Sequence, residues 1–240
     1  MWLIVEYEPV TLFSFRSGMA TSSGAKTLFL PTPFAIRTAL LDAAIRTKGL
    51  SVGQAALEWI KRLDIAVRPP ERVVVTNLFT KVLKPSRKEK EEAESVMGRT
   101  IAFREYAHLS GRVALAFRVA EQYAQDLAGL LPQVNYFGRR GSFFQLVETP
   151  HEVADLPDGF WPLDGMLLPG QDDTRGLPTA FALGVVQAMD DWGEALGFDK
   201  LNIYSEQRII LGKDRVRKTV ILPYRLVRSS KGFSLYERIP

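Results

Sequence analysis

The sequence has 240 residues, 46% of them apolar, and its 31 basic residues against 27 acidic ones give a net charge of +4. It contains no cysteine, which excludes disulfide scaffolds, thiolate zinc sites, iron–sulfur clusters and a cysteine nucleophile. The two histidines, His108 and His151, are too far apart in the sequence to show metal-ligand spacing.

Charge and hydropathy indicate the setting of the protein. The pI of about 9.3 permits a basic face that would attract a nucleic acid. No stretch approaches the roughly 18 uninterrupted apolar residues that a spanning helix needs. The first eight residues carry Glu6 and Glu8 where a signal peptide has basic residues. We therefore expect a cytoplasmic protein without a membrane partner.

The first third of the chain predicts an opening strand and two helices. β-Branched and aromatic residues at 2–8 predict a strand that continues to Phe15. Thr32 and Pro33 are typical of the N-cap and first position of a helix, and the apolar residues that follow recur with helical spacing. The predicted helices run over 34–46 and, with Ser51 as the cap, over 51–63.

The middle third predicts three strands around a charged arm. The strands are predicted at 72–83, 99–109 and 112–119, the last two joined by a turn at 108–111. Residues 84–98 mix bases, acids and Pro85 and have almost nothing to bury, so we expect them to project into solvent as an arm or as a lid over a bound polymer. A helix at 120–131 and a strand at 143–148 follow.

The last third predicts a β-rich end. Residues 149–179 are rich in Pro, Gly and Asp and predict a surface excursion. Further strands are predicted at 201–204, 207–211, 216–222 and 232–239. The order strand, helix, strand, strand, helix, strand is typical of a ferredoxin-like unit with an elaborated end. The fold class predicted is α+β.

A basic turn bounded by glycines, at 138–141, is the clearest binding motif. Its glycines let the backbone approach a ligand closely, and its two guanidinium groups can each fork onto phosphate oxygens. Tyr136, Phe137 and Phe143 flank the turn and offer faces on which unpaired bases can stack. The alternative is a tight surface turn with two solvated arginines.

Other basic residues extend this candidate site. Arg16 follows the first strand and Arg37 lies in the first turns of the first helix, and in a ferredoxin-like unit these places can face one another across a groove. The alternative for Arg37 is the solvent side of an amphipathic helix. The cluster from Lys84 to Lys90 is the densest in the chain, but glutamates follow at once, so a solvated helix face held by i,i+4 pairs is its alternative.

Catalytic chemistry has few candidates. His108, near Tyr106, can act as a general acid or base beside a lysine, as in a metal-free ribonuclease, or can be a half-buried structural residue. The aspartate pairs at 172–173 and 190–191 can bind a divalent ion, but consecutive carboxylates on a helix point apart and loop aspartates often cap helices. No nucleotide-binding glycine motif is present. We expect no metal and no cofactor.

Three stretches, in order, carry a family resemblance. The segment 30–41, LPTPFAIRTALL, follows the strand that ends in LFSFRSG at 12–18, and 99–106, RTIAFREY, begins a strand with an arginine after the charged arm, with 112–117 as its partner. The third stretch is the basic turn, YFGRRGSF at 136–143. Together they resemble the CRISPR-associated RAMP proteins, specifically the Cas-five family, which holds the 5′ handle of the guide RNA in type I Cascade complexes. The resemblance covers residues 2 to 145, and the C-terminal part lacks the glycine-rich loop of many RAMP proteins.

The resemblance implies a ferredoxin-like (RRM-like) RAMP core over 1–145 with a protruding thumb at about 81–98, and a β-rich extension over 146–240 packed on it. It implies a non-catalytic subunit that binds the crRNA 5′ handle, caps the backbone filament and docks the large subunit for recognition of target DNA in antiviral defence. Its partners are then the handle, the backbone and large subunits and, indirectly, target DNA. One branch of the family instead processes pre-crRNA as a metal-free endoribonuclease, for which His108, Tyr106 and a lysine from 81 to 90 are the candidates. A ferredoxin-like protein with an unrelated partner is the remaining alternative.

A short single-stranded handle calls for arginines, backbone N–H groups and aromatic faces. The expected RNA-binding residues are Arg16, Arg37, Lys84, Arg87, Lys88, Arg104, Tyr136, Gly138, Arg139, Arg140, Gly141 and Phe143.

Overall fold

The computed structural model describes residues 1–18, 20, 24–85, 97–163 and 184–239. The helices in this part of the chain are α1 Pro33–Lys48, α2 Leu50–Lys61, α3 Glu121–Leu130, which a 3₁₀ turn at Leu131–Gln133 follows, and α4 Phe198–Leu201. The strands are β1 Trp2–Pro9, β2 Phe15–Arg16, β3 Gly24–Ala25, β4 Thr27–Leu28, β5 Asp64–Arg68, β6 Arg72–Pro85, β7 Met97–Ser110, β8 Val113–Arg118, β9 Phe144–Leu146, β10 His151–Val153, β11 Trp161–Pro162, β12 Val185–Trp192, β13 Arg215–Leu222, β14 Tyr224–Ser229 and β15 Phe233–Arg238.

Two sheets carry most of these strands. The first has the order β10-β1-β8-β5-β11, with β9 also paired to β1, and all its pairs are antiparallel. The second has the order β14-β15-β6-β7-β3 and is antiparallel except for the β3–β7 pair. A separate hairpin joins β12 to β13, and β2 pairs with β4. This mixture of helices and antiparallel sheets confirms the predicted α+β class.

Local chemistry explains how α1 begins and where the chain turns into α2. The Thr32 side chain accepts a hydrogen bond from the backbone N–H of Ala35 at 3.2 Å, and Pro33 occupies the first helical position, as predicted. The predicted cap of α2 is wrong. Ser51 lies inside that helix, and Gly49, with φ of 89°, makes the turn between α1 and α2.

The hairpin of β6 and β7 is long and only partly covered. Its register runs from Arg72 opposite Ser110 to Pro85 opposite Met97. At the first end, inward residues such as Val73 and Ala107 are fully buried, whereas Phe79 further along is 65% exposed. The hairpin therefore extends beyond the core, and the tip of the predicted thumb, residues 86–96, lies outside the described residues.

Strand pairing differs from the sequence prediction in one important place. Residues 112–117 were expected to pair with 99–106, but β7 pairs with β6 and β3, whereas β8 pairs with β1 and β5. Gly111, with φ of 104°, turns the chain from one sheet into the other. Two neighbouring strand patterns therefore belong to different sheets.

Other differences concern the ends of predicted elements. The opening strand ends at Pro9 instead of continuing to Phe15. The strand expected at 201–204 is the end of α4 and a turn, and the one expected at 207–211 has only an isolated bridge at Leu211. The strands β5, β12 and β14 were not predicted. In β12, the acidic pair at 190–191 looks polar in sequence, although both side chains are buried.

One hydrophobic core connects the predicted N- and C-terminal parts. It includes Tyr7 of β1, Leu40 of α1 and Met189 of β12. Burial raises the pKa of Tyr7, whose hydroxyl donates to the carbonyl oxygen of Leu131 at 2.8 Å. The division into 1–145 and 146–240 stays a prediction. Within the described residues, no helix combines the length and apolar character required to cross a membrane.

Candidate nucleic-acid interface

The glycine-bounded turn at 138–141 is a defined structure. Gly138 and Gly141 have φ of 69° and 95°, in the region that glycine adopts without strain. The backbone N–H of Ser142 donates to the carbonyl oxygen of Arg139 at 3.0 Å and closes the turn. Both arginine side chains are exposed, and neither guanidinium group forms a hydrogen bond or ion pair with the described part of the chain. The turn therefore offers two guanidinium groups to solvent.

The turn lies beside the N-terminal end of α1. A Cβ placed on Gly138 would lie 3.5 Å from the Cβ of Ala35 in the first turn of that helix. Thr11 holds the other side, since its hydroxyl donates to the carbonyl oxygen of Gly141 at 3.0 Å. The first turn of α1 has no acidic residue, so its dipole adds positive potential next to the two arginines. The surroundings of the turn favour an anion.

The aromatic residues around the turn have different environments. Phe143 is 45% exposed and Tyr136 is half-buried, and the two form an isolated bridge across the base of the turn. Phe137 is buried against Tyr7 and Phe144, with ring centroids 5.4 and 5.0 Å away. Phe143 is thus available as a stacking face and Phe137 is not.

Arg16 is exposed at the end of β2 and donates to the carbonyl oxygen of Ala20 at 3.2 Å. Two residues later, Gly18 contacts a cation from the C-terminal part, because NH2 of Arg217 donates to its carbonyl oxygen at 2.9 Å. Arg16 therefore lies on a short turn that touches the β12–β13 hairpin.

Arg37 corrects the sequence prediction. Its side chain is buried, so it lies neither across a groove from Arg16 nor on the solvent side of α1. Its Nε donates to Asp191 at 2.8 Å, and its NH1 and NH2 donate to the carbonyl oxygens of Ile60 and Leu63 at 2.6 and 2.9 Å. These bonds tie α1, the end of α2 and β12 together. Arg37 is a core residue, and we remove it from the candidate interface.

The remaining basic candidates belong to the long hairpin. Arg104 is half-buried in β7, opposite Leu78, and next to Glu105, which turns into the core and accepts from the backbone N–H of Thr27. Lys84 lies in β6 opposite Gly98. Arg87 and Lys88 lie outside the described residues.

The predicted ribonuclease set is spread along the hairpin. His108 is exposed and pairs with Val74, whereas Lys81 pairs with Ile101, seven residues earlier on β7. At about 3.3 Å per residue, the two positions are about 23 Å apart, and the odd separation places their side chains on opposite faces of the sheet. Lys81 therefore does not form a catalytic group with His108.

The sequence analysis missed Arg215 and Arg217 of the β12–β13 hairpin and considered Asp190 only as a possible ligand of a divalent ion. Asp190 is buried, and Arg215 and Arg217 both reach its carboxylate. In the sequence, the alternation of the two arginines with Val216 indicates only that they share one face of a strand. Arg215 also lies over the ring of Phe34, 4.6 Å from its centroid, at the N-terminal end of α1.

The aspartate pairs do not form a metal site in the described residues. Asp190 and Asp191 lie on a strand and point to opposite sides, and each is held by cations. No group of three or more possible ligands occurs in the part of the chain that the structure describes. The pair at 172–173 lies outside it.

A curated protein is similar to about half of the chain. No protein-family model matches the chain. Over 115 residues, 48% of its length, the chain is 30% identical to a protein of Archaeoglobus fulgidus named CRISPR-associated protein Cas5, of which the match covers 50%. The chain thus matches about half the length of this relative.

Two solved structures align with the whole chain. One is a CRISPR protein from Archaeoglobus fulgidus, with 13% identity, a TM-score of 0.38 and 92% of that chain covered. The other is a CRISPR RNA-guided surveillance complex, with 15% identity, a TM-score of 0.46 and 91% of that chain covered. The predicted resemblance to the CRISPR-associated Cas5 proteins is confirmed by a curated relative of that name, which this chain matches over about half of its length.

Proposed function

We propose that this chain is a Cas5-type subunit of a type I CRISPR RNA-guided complex, and that it binds the 5′ handle of crRNA without cutting it. The named relative supports the family. The first sheet supports a ferredoxin-like core, because β10, β1, β8 and β5 lie side by side as the fourth, first, third and second strands of a β-α-β-β-α-β succession.

The observation that carries the RNA-binding proposal is the exposed turn at 138–141. A single strand presents phosphates and unstacked bases, and it is held by guanidinium groups, backbone N–H groups and aromatic faces. The guanidinium groups of Arg139 and Arg140 have no partner in the described residues, and the turn that carries them lies beside the positive end of α1. Phe143 adds an exposed ring. These groups can bind the phosphates and the unstacked bases of a short RNA strand.

We also propose the assembly roles of the family for this chain, namely capping the backbone filament and docking the large subunit. The far end of the β6–β7 hairpin supports such contacts, because Phe79, Leu83 and Ile101 are each at least 60% exposed there. In this proposal the hairpin from about residue 81 to 98 is the thumb.

The test is an anisotropy titration with a fluorescein-labelled repeat-derived 5′-tag RNA in a series of KCl concentrations. In the double variant Arg139→Glu/Arg140→Glu we expect affinity to fall at least about tenfold. Loss of two phosphate contacts should also flatten the slope of log K against log[salt] by about 1.4, at about 0.7 per contact for single strands. The matched control is Arg228→Glu/Lys231→Glu, which removes the same charge from exposed positions of β14 and of the turn that joins it to β15.

Equal weakening by both double variants would contradict a role for the turn and indicate general attraction by net charge. The non-catalytic role is checked by incubating the protein with repeat RNA in EDTA and running a denaturing gel. We expect intact RNA from the unaltered chain and from His108→Ala alike. Cleavage that His108→Ala abolishes would instead support the endoribonuclease.

A further inference from the structure

A buried carboxylate holds two cations at the surface of the β12–β13 hairpin. Asp190 is 3% exposed. Its Oδ2 accepts from Nε and NH2 of Arg215 at 3.0 and 2.5 Å, and its Oδ1 lies 3.5 Å from Nε of Arg217. One negative charge therefore faces two positive charges, and the group keeps a net charge of +1.

The two arginine side chains remain accessible. Those of Arg215 and Arg217 are 35% and 43% exposed, whereas the carboxylate between them is almost completely covered. A guanidinium has five N–H donors in a fixed fork. Within the described residues, the bonds of Arg215 use Nε and NH2, so its NH1 edge has no hydrogen-bond acceptor there.

Neighbouring groups fix the orientation of both cations. The guanidinium of Arg215 lies on the ring of Phe34, and NH2 of Arg217 donates to the carbonyl oxygen of Gly18. A Cβ on Gly18 would lie only 3.0 Å from Oδ2 of Asp190, so the turn that carries Arg16 approaches this carboxylate closely.

These contacts connect the cations with the proposed RNA site. Arg215 touches Phe34, and the next residue, Ala35, packs against Gly138 of the turn. On the other side, Arg217 touches the turn of Arg16. Each nucleotide of a single strand carries a phosphate, so a strand held at 138–141 would need further cations along its path.

We infer that Arg215 and Arg217 bind RNA phosphates next to the turn at 138–141, and that Asp190 is the positioning residue that orients them. This inference rests on the proposed RNA-binding function. Removal of the Asp190 charge should therefore change RNA affinity in the direction opposite to that expected from charge alone. Removing an acidic residue from a basic surface should by charge alone strengthen RNA binding, whereas loss of a positioning carboxylate should weaken it.

The experiment uses the full chain, the same labelled 5′-tag RNA and the same KCl series. We expect Arg215→Gln and Arg217→Gln each to flatten the salt slope by about 0.7. We expect Asp190→Asn to weaken binding about fivefold to tenfold and to flatten the slope, although it adds a positive charge. The matched control is Glu237→Gln, because Glu237 also holds two arginines, Arg72 and Arg225, but on the second sheet. In this control, affinity should stay the same or rise.

The outcomes separate the two proposals. Two outcomes would overturn this inference alone, while tag-RNA binding still depends on 138–141. The first is an unchanged salt slope in Arg215→Gln and Arg217→Gln. The second is tighter binding by Asp190→Asn, as for Glu237→Gln. No binding of tag RNA by the unaltered chain overturns the proposed function and this inference with it. Thermal melting accompanies each titration. If Asp190→Asn does not fold, the salt slopes of RNA binding by the two arginine variants test the inference.

Discussion

At the scale of single residues, similar arginines have opposite environments. Arg37 and Arg139 were both expected at the interface, yet one is buried in the core and the other is exposed on a turn. The helical pattern held a clue, because Arg37 lies four and seven residues before Leu41 and Ala44, on the stripe that α1 buries. Its partner Asp191 is 154 residues away in sequence, so local spacing could not reveal the ion pair.

Replacement of Arg37 should therefore affect folding and not RNA recognition. We expect Arg37→Leu to lower the free energy of unfolding by about 3 kcal/mol, because it breaks a buried ion pair and leaves the carbonyl oxygens at the end of α2 without donors. Arg37→Lys keeps the charge but not the fork, and should lose less. Urea unfolding followed by circular dichroism measures both. A Leu variant as stable as the original chain would contradict this role, and the folded Lys variant should keep its RNA affinity.

At the scale of elements, buried charge also fixes the segment between α4 and β13. Asp214 accepts two hydrogen bonds from Lys200 of α4, at 2.8 and 2.9 Å, and one from the backbone N–H of Ile210 at 2.8 Å. The bonds from Lys200, and then that from Ile210, hold the pKa of Asp214 below its ordinary value. The stretch 207–211 in this segment was predicted as a strand, but the hydrogen bonds of this carboxylate hold it in a turn.

The sign of the pH dependence follows from that lowered pKa. The unfolded chain binds the Asp214 proton more readily than the folded chain, so the stabilisation is present above the ordinary pKa of 3.8 and is lost as the pH falls below it. We expect Asp214→Asn to have a lower melting temperature than the original chain at pH 7, and we expect this difference in melting temperature to narrow towards pH 3. Thermal melting across this pH series measures it. Asp199→Asn, an exposed change on α4, is the control and should show no such gap. A difference in melting temperature that stays the same at pH 3 would contradict the stabilising role of the Asp214 carboxylate.

At the scale of the whole molecule, the sequence predicted the α+β class and the succession of most elements, since these depend on local periodicity. It did not predict which sheet each strand joins. The pairing of β7 and β8 depends on a turn at Gly111 and on partners far away in sequence. For the candidate site, the turn at 138–141 was visible as a local motif. Asp190 and its arginines were not, because their meaning depends on burial and on contacts with α1.

The long hairpin gives a prediction at this scale. Replacing residues 81–101 by Asn-Gly joins Thr80 to Ala102, which lie opposite one another, through a two-residue turn that suits a hairpin. We expect the shortened chain to fold with nearly the same melting temperature, because Val73 and Ala107 stay buried, whereas Leu83 and Ile101 of the removed part are exposed. Light scattering should also show less self-association. A large fall in melting temperature would mean that the far end of the hairpin supports the core.

The strand β12 places two neighbouring carboxylates on its two sides, one towards Arg37 and the other towards Arg215 and Arg217. The same eight residues thus hold the first helix in the interior and, in the RNA site that we propose, orient the two cations that would meet the RNA. A change that disturbs the packing of β12 should therefore also disturb the orientation of Arg215 and Arg217. In this proposal, RNA affinity would then report on whether the interior of the protein is packed correctly.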